Sequence, residues 1–178
     1  SVLHALTVEG THAENEDELI ECATKIIGYT LYPDILGFLM LTEDEKNFYP
    51  HPSYRGNTDP NFWHNYQIGQ GITGQVAATG KPVNVKDVRK AKNYIQINPK
   101  SLSELCVPMT IGERVIGVIN AESFKPGFFT SDDERLLTTI AGQLATAIER
   151  LRKERAEREQ RILAEALRDI ASALNSTL

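Results

Sequence analysis

The sequence predicts an α+β domain: a central antiparallel β-sheet of about six strands, helices on both faces, and a long C-terminal coiled-coil helix. Three observations carry this prediction. Leu105–Thr110 and Arg114–Glu122 are apolar runs joined by Ile111-Gly112-Glu113, the pattern of a tight antiparallel hairpin with Gly112 placed for a positive φ. Apolar residues between Glu16 and Gly28 recur at helical spacing. From Ser131 to Leu178 only Gly142 interrupts a helical pattern. Hairpins flanked by helices point to an α+β domain rather than a doubly wound one. The sheet is expected to contain 35–41, 105–110 and 114–122, with helices 16–28 and 132–150 together on one face.

The N-terminal elements follow from spacing. Leu3, Leu6, Leu19, Ile20, Ala23, Ile26 and Ile27 fall at helical intervals, broken by the polar stretch Glu9–Glu16. This predicts two helical pieces, the second running from Glu16 to Gly28 with Asn15 as its cap. Ile35–Leu41 is a continuous apolar run, the signature of a buried strand entering a turn. Asn47–Tyr54 is its expected hairpin partner, made an edge or irregular strand by Pro50 and Pro52.

Gly69-Gln70-Gly71-Ile72-Thr73-Gly74 spells GxGxxG, and its surroundings refuse a dinucleotide site. Such a site needs a buried strand before the glycines and a full crossover helix after them. Trp63–Gln67 is too polar for that strand, and Gly80 and Pro82 limit the expected helix to Gln75–Thr79. Gly71 and Gly74 are therefore expected to serve backbone geometry and close packing, not phosphate binding. An extended Val83–Val85 and one helical turn at Asp87–Ala91 follow.

The last helix has Ser131 as its expected cap, with Glu134 three residues on in capping-box spacing. Leu137, Ala141, Leu144, Ile148 and Leu151 repeat at 4-3-4-3 intervals, suited to a coiled-coil seam. Arg152–Arg161 is almost wholly charged, with Glu154–Arg158 and Glu157–Arg161 in favourable i, i+4 order. Such a helix is longer than a small domain is wide, so it is expected to leave the domain.

Composition narrows function. The 178-residue chain carries a formal net charge of −5 and no basic face in its first part, which argues against nucleic acid. No apolar run approaches the ~20 residues that span a bilayer, and Ser1-Val2-Leu3-His4 does not open like a signal peptide. Two cysteines, Cys22 and Cys106, give neither a disulfide framework nor zinc spacing and fit a cytoplasmic location. No direct membrane insertion is expected.

The ordered motifs resemble those of GAF domains, the small-molecule sensor modules of signalling proteins. The glycine turn with its short helix is one. Ser103-Glu104-Leu105-Cys106-Val107-Pro108-Met109 resembles the family's S-x-L-x-V-P-L strand, and Arg114–Asn120 the strand after it. Phe129-Thr130-Ser131-Asp132-Asp133 resembles its F-T-x-x-D helix start. The resemblance implies a PAS/GAF-like fold, with a sensor domain over 1–150 and a helical linker over 151–178 leading to an effector in cis. A histidine kinase, as in two-component systems, or a cyclic-di-nucleotide enzyme would be such an effector. It also implies a pocket roofed by Val85–Pro99. Phe38, Trp63, Tyr66, Ile72, Thr73, Val88, Tyr94, Ile97 and Cys106 are the expected lining.

Within the resemblance, specific ligands are disfavoured and no cofactor is expected. Asn120, Phe129, Asp133 and Glu134 follow the cyclic-nucleotide signature, but Ala121 replaces its lysine, so Phe129 is read as core and Asp133 as a cap. Neither cysteine is followed by the histidine a bilin needs, and His4, His12, His51 and His64 show no haem or metal spacing. No catalytic constellation is visible, so the expected function is a non-enzymatic regulatory sensor. A ligand-free dimerisation or spacer module and a redox enzyme centred on Cys106 are the alternatives. A parallel homodimer is expected through Leu3, Leu6, Leu137, Ala141, Leu144, Ile148 and Leu151.

Overall fold

The structure, a computed structural model, describes residues 1–32, 34–42, 48–58 and 67–176. Two helices open the chain, α1 (Val2–His12) and α2 (Glu16–Thr30). Asn15 caps α2 by accepting the Glu18 N–H at 2.9 Å, and the Glu18 carboxylate accepts the Glu14 N–H at 2.9 Å. This reciprocal closure satisfies amides that the first helical turn leaves without partners.

The strands are β1 (Ile35–Leu41), β2 (Phe48–Pro50), β3 (Val83–Val85), β4 (Ser103–Ile111) and β5 (Arg114–Ser123). They form one sheet of five strands among the described residues, in the order β2-β1-β5-β4-β3, with every pairing antiparallel. β2 is a three-residue edge strand that ends at Pro50, with Pro52 just beyond it. Gly112 turns the β4–β5 hairpin with φ 59°.

Alternation along β1, β4 and β5 builds two cores. Leu36, Phe38, Leu105, Val107, Ile119 and Ala121 face α1, α2 and α4 (Ser131–Ser176). Ile35, Leu39, Cys106 and Val118 face the other way and are covered by Ile72 and Val76 of α3 (Gly71–Thr79) and by Ile97. The two helices expected on one face, α2 and α4, are there together. Phe129 is fully buried with them, its ring edge-on to Tyr32 at 5.5 Å.

Three expectations are corrected. The glycine helix begins at Gly71, not Gln75, because glycine lets two features coincide. Gly71 enters at φ 66°, and a Cβ on Gly74 would lie 2.3 Å from the Gln67 carbonyl oxygen. The α4 cap sits one residue earlier than Ser131. Thr130 Oγ1 accepts the Asp133 N–H at 3.2 Å while the Asp133 carboxylate accepts the Thr130 N–H at 2.8 Å, so the box is Thr130–Asp133 rather than Ser131–Glu134.

The third correction concerns the seam. Leu6, Leu137, Ala141, Leu144, Ile148 and Leu151 are buried in this chain's own core, and Leu3 is half-buried against it. The stripe that reads as a dimer face is the face α4 lays on its own sheet and helices. A helix covering a sheet needs the same 4-3 spacing as a coiled coil, so spacing alone does not separate them. Beyond Leu151 the helix is exposed, with Ile162, Leu163, Leu167, Ile170 and Leu174 open to solvent. Where it leaves, Arg152 donates to both carboxylate oxygens of Glu16 at 2.7 Å. The i, i+4 pairs formed here are Arg150–Glu154 and Arg155–Glu159.

Candidate functional site

Glu104 and Glu122 are direct partners across β4 and β5, and Cys106 pairs with Asn120 two residues on. All four belong to the face opposite α2 and α4, since the intervening Leu105 and Ala121 point to the helices. Strand acids usually reach water. Here both faces of the sheet are covered, and Glu104, Glu122 and Asn120 are at most 2% exposed.

Their bonding is incomplete. The Tyr94 hydroxyl donates to Glu122 Oε2 at 3.1 Å. Asn120 Nδ2 donates to the Tyr54 hydroxyl at 2.9 Å and lies 3.4 Å from Glu122 Oε1. The Tyr54 ring lies over Gly37, where an added Cβ would meet it at 2.0 Å, so that glycine sets the ring's position. Glu104 Oε2 and Asn120 Oδ1 are buried with no partner. Buried acceptors without donors are costly, and the Ser101 hydroxyl, also buried without a partner, is a donor beside Glu122.

The electrostatics agree. Burial, then the charge of Glu122, pushes the Glu104 carboxyl well above the usual carboxylate range. Burial raises Glu122 to about 7. Burial and both carboxyls push the Cys106 thiol up, and burial with the Glu122 charge raises the Tyr94 hydroxyl, keeping it a donor. Without a counter-cation the pair resists carrying two charges.

The residues expected to line a pocket separate. Ile72, Ile97 and Cys106 meet in one apolar cluster beside the acids, and Tyr94 bonds to one of them. Thr73 and Val88 are buried nearby in sequence, on α3 and on the short 3₁₀ turn. Phe38 is corrected: its strand parity turns it into the helix-side core, where it packs with Ile119 and Met40. Trp63 and Tyr66 lie outside the described residues. Reading for ligands missed Glu104 and Glu122. The available signal was an acid at the polar end of each apolar central run, Ser103-Glu104-Leu105 and Ala121-Glu122-Ser123.

The roof is tied down by its own bonds. Asn98 Nδ2 donates to Gly56 O at 2.9 Å, and Ser101 N donates to Asn98 O at 3.0 Å. The open cavities lie elsewhere. A groove of about 820 Å³ runs between the start of α2, β2 and the exit of α4, lined by Glu16, Tyr49, Leu151 and Arg152 among others. It is wide, charged and distant from the acids. The chemistry favours the closed acid cluster, where, among the described residues, two buried acceptors without partners stand together.

A family model described as GAF domain matches residues 13–149. The chain belongs to the GAF family. Among curated relatives, this GAF domain is 30% identical to the free methionine-R-sulfoxide reductase of Escherichia coli (strain K12) over 43% of this chain and 47% of that protein. The chain spans about half the length of the curated relatives it matches first. A structure of free methionine-R-sulfoxide reductase from Neisseria meningitidis in complex with its substrate superposes at TM-score 0.77, with 22% identity over 86% of this chain and 89% of that one. The GAF domain of an Acinetobacter phosphoenolpyruvate-protein phosphotransferase superposes at 0.73, with 19% identity over 85% and 93%.

These comparisons overturn one expectation. A purely non-enzymatic role was inferred from the missing catalytic constellation, yet proteins named as reductases are similar to this chain in sequence and in fold. The inference rested on the absence of a nucleophile with an adjacent base and of a second cysteine near Cys106 to resolve a redox cycle, and the similarity to the named reductases runs against it. Among the described residues no three or more His, Cys, Asp or Glu side chains gather as a metal site, and no helix is long and apolar enough to cross a membrane.

Proposed function

We propose that this GAF domain recognises a small molecule bearing an ammonium group, of the free amino acid class, against Glu104, Asn120 and Glu122. The single observation that carries this is the pair of buried, unpartnered acceptors, Glu104 Oε2 and Asn120 Oδ1, beside a second carboxyl. A primary ammonium offers three donors and no acceptor, which complements that deficit. Its charge stabilises both carboxylates at once. The free methionine sulfoxide named for the relatives carries such a group. Access requires the segment 94–101 to lift, which links occupancy to the Tyr94–Glu122 bond. In the regulatory reading, occupancy is passed through β4 and β5 to α4, which lies on their other face.

Calorimetric titration with free methionine, its R-sulfoxide and other amino acids tests the reading, with N-acetylated forms as controls. Saturable binding of a free form and loss on acetylation is the expected result. Equal binding of acetylated and free forms, or no binding by any amino acid, overturns it.

A second reading is favoured by the named relatives and by Cys106, which lies across from Asn120 in the same cluster. In it the Cys106 thiol takes the sulfoxide oxygen and keeps its hydrogen on that oxygen, giving a thioether and a sulfenic acid. A small external thiol then condenses with the sulfenic acid, forming a mixed disulfide and releasing water, and a second one frees Cys106. Cys22 is not that partner: it lies on α2, across the sheet. Turnover of methionine-R-sulfoxide with excess dithiothreitol, abolished in Cys106→Ser, is the expected result; unchanged turnover in that variant removes this reading.

A further inference from the structure

We infer a second binding site, for a small oxyanion, on the helix side of the sheet between α2 and residues 51–55. A cavity of about 410 Å³ opens there, lined by Thr24, Lys25, Tyr29, His51, Ser53 and Arg55 among others. It does not touch the acid cluster. Arg55 pairs with Leu36 through the backbone, and its neighbour Tyr54 points to Asn120 on the opposite face. One short extended segment therefore serves both sites.

Packing, and no acceptor among the described residues, holds the guanidinium of Arg55 in place. It lies over the Tyr29 ring, 4.4 Å from the centroid. Gly28 makes the seat: a Cβ there would come 2.6 Å from Nη1 and 3.0 Å from Cδ. Nη1 is buried with no hydrogen-bond partner. Among the described residues no carboxylate or carbonyl takes a hydrogen bond from this side chain. A positioned, unpaired guanidinium at a cavity wall is complementary to an anion with two oxygens on one centre.

The neighbouring groups suit that ligand. Lys25 is a further cation, paired at 2.7 Å with Glu21, a carboxylate that also lines the cavity. Ser53 Oγ lies 2.8 Å from both His51 Nδ1 and Thr24 Oγ1, and Thr24 donates its own hydrogen to Ile20 O at 2.8 Å. Ser53 has one hydrogen to share between these two close contacts. His51 Nδ1 also accepts the Ser53 N–H at 3.2 Å. The other ring nitrogen lies 3.3 Å from Asp17 Oδ1.

The test uses the full chain at constant ionic strength, titrated with inorganic phosphate and separately with acetate, following the Arg55 side-chain and Gly28 and Ser53 amide resonances. Saturable millimolar shifts with either anion support the site, and the two arms tell phosphate from carboxylate chemistry. Arg55→Gln should weaken binding ~10-fold or more. Gly28→Ala keeps every charge but displaces the guanidinium, and should weaken binding as well. Absence of saturable shifts with both anions overturns the proposal. So does unchanged affinity in both variants while their spectra show a folded chain.

Discussion

Glu104 and Glu122 stand opposite each other on neighbouring strands, both almost out of reach of water, and one oxygen of Glu104 has no partner. The relationship fixes how the domain responds to pH. Glu122 is raised to about 7 in the folded chain from an ordinary 4.5, and Glu104 is raised as well. A carboxyl raised on folding binds its proton more tightly when folded. Its contribution is complete below 4.5 and is lost as pH rises through about 7. The ligand-free domain should therefore lose stability between mildly acidic and slightly alkaline pH. Thermal melts across that window check this, and Glu122→Gln should flatten the dependence. A stability that rises over the same interval contradicts the assignment.

Ligand binding should show the opposite slope. An ammonium binds best when both carboxylates are charged, so affinity should increase as pH rises through about 7, with protons released on binding. Calorimetry in buffers of different ionisation enthalpy measures that release. No proton release near neutral pH would separate the ligand from the acid pair.

Gly74→Val should destabilise the domain by roughly 2 kcal/mol or more, because its Cβ would meet the backbone carbonyl of Gln67, which cannot rotate aside as a side chain can. Urea unfolding measures the loss. Melts with and without dinucleotides should be identical, since the glycines seat a turn. A wild-type stability for Gly74→Val would mean that the turn relaxes freely.

The sequence-level reading succeeded wherever a local signal had one physical cause. Asn15 before an acidic turn, Gly112 between two apolar runs and prolines in the return strand each allow a single structure, and each appears as read. It went wrong where one pattern serves two ends. The 4-3 stripe Leu137–Leu151 suits a coiled coil and a helix laid on a sheet equally, and only the sheet's position decides. Phe38 illustrates parity: an all-apolar strand such as Ile35–Leu41 has no polar residue to show which side is which. The acids were missed because a charged residue in a strand is ordinarily read as facing solvent. Recognising them requires knowing that α3 and the segment to Ile97 cover that face.

The Arg152–Glu16 pair should act as a clamp on α4 at the point where it leaves the core. Both side chains are partly buried, at 19% and 24% exposure, and the contact is bidentate. Arg152→Ala should cost about 1–2 kcal/mol and raise hydrogen exchange in α4 near the exit before it affects the sheet. Uniform change across the domain, or none, would show that the clamp holds nothing locally.

The parallel homodimer, with its seam moved outward, is the last expectation to argue. The proximal stripe is occupied, but Leu163, Leu167, Ile170 and Leu174 repeat at 4-3-4 spacing and are 57–64% exposed. Four large apolar residues on one stripe of a free helix are unfavourable in water, and a second copy of the same helix in register covers them. Leu167→Lys with Ile170→Lys should therefore leave the fold intact and shift sedimentation toward the monomer. Leu144→Lys, by contrast, buries a charge in the domain core and should unfold it. A chain truncated after Arg161 should sediment as a folded monomer at concentrations where the full chain is dimeric. If full chain and truncation both sediment as monomers, the exposed stripe belongs to some other partner and the homodimer is excluded.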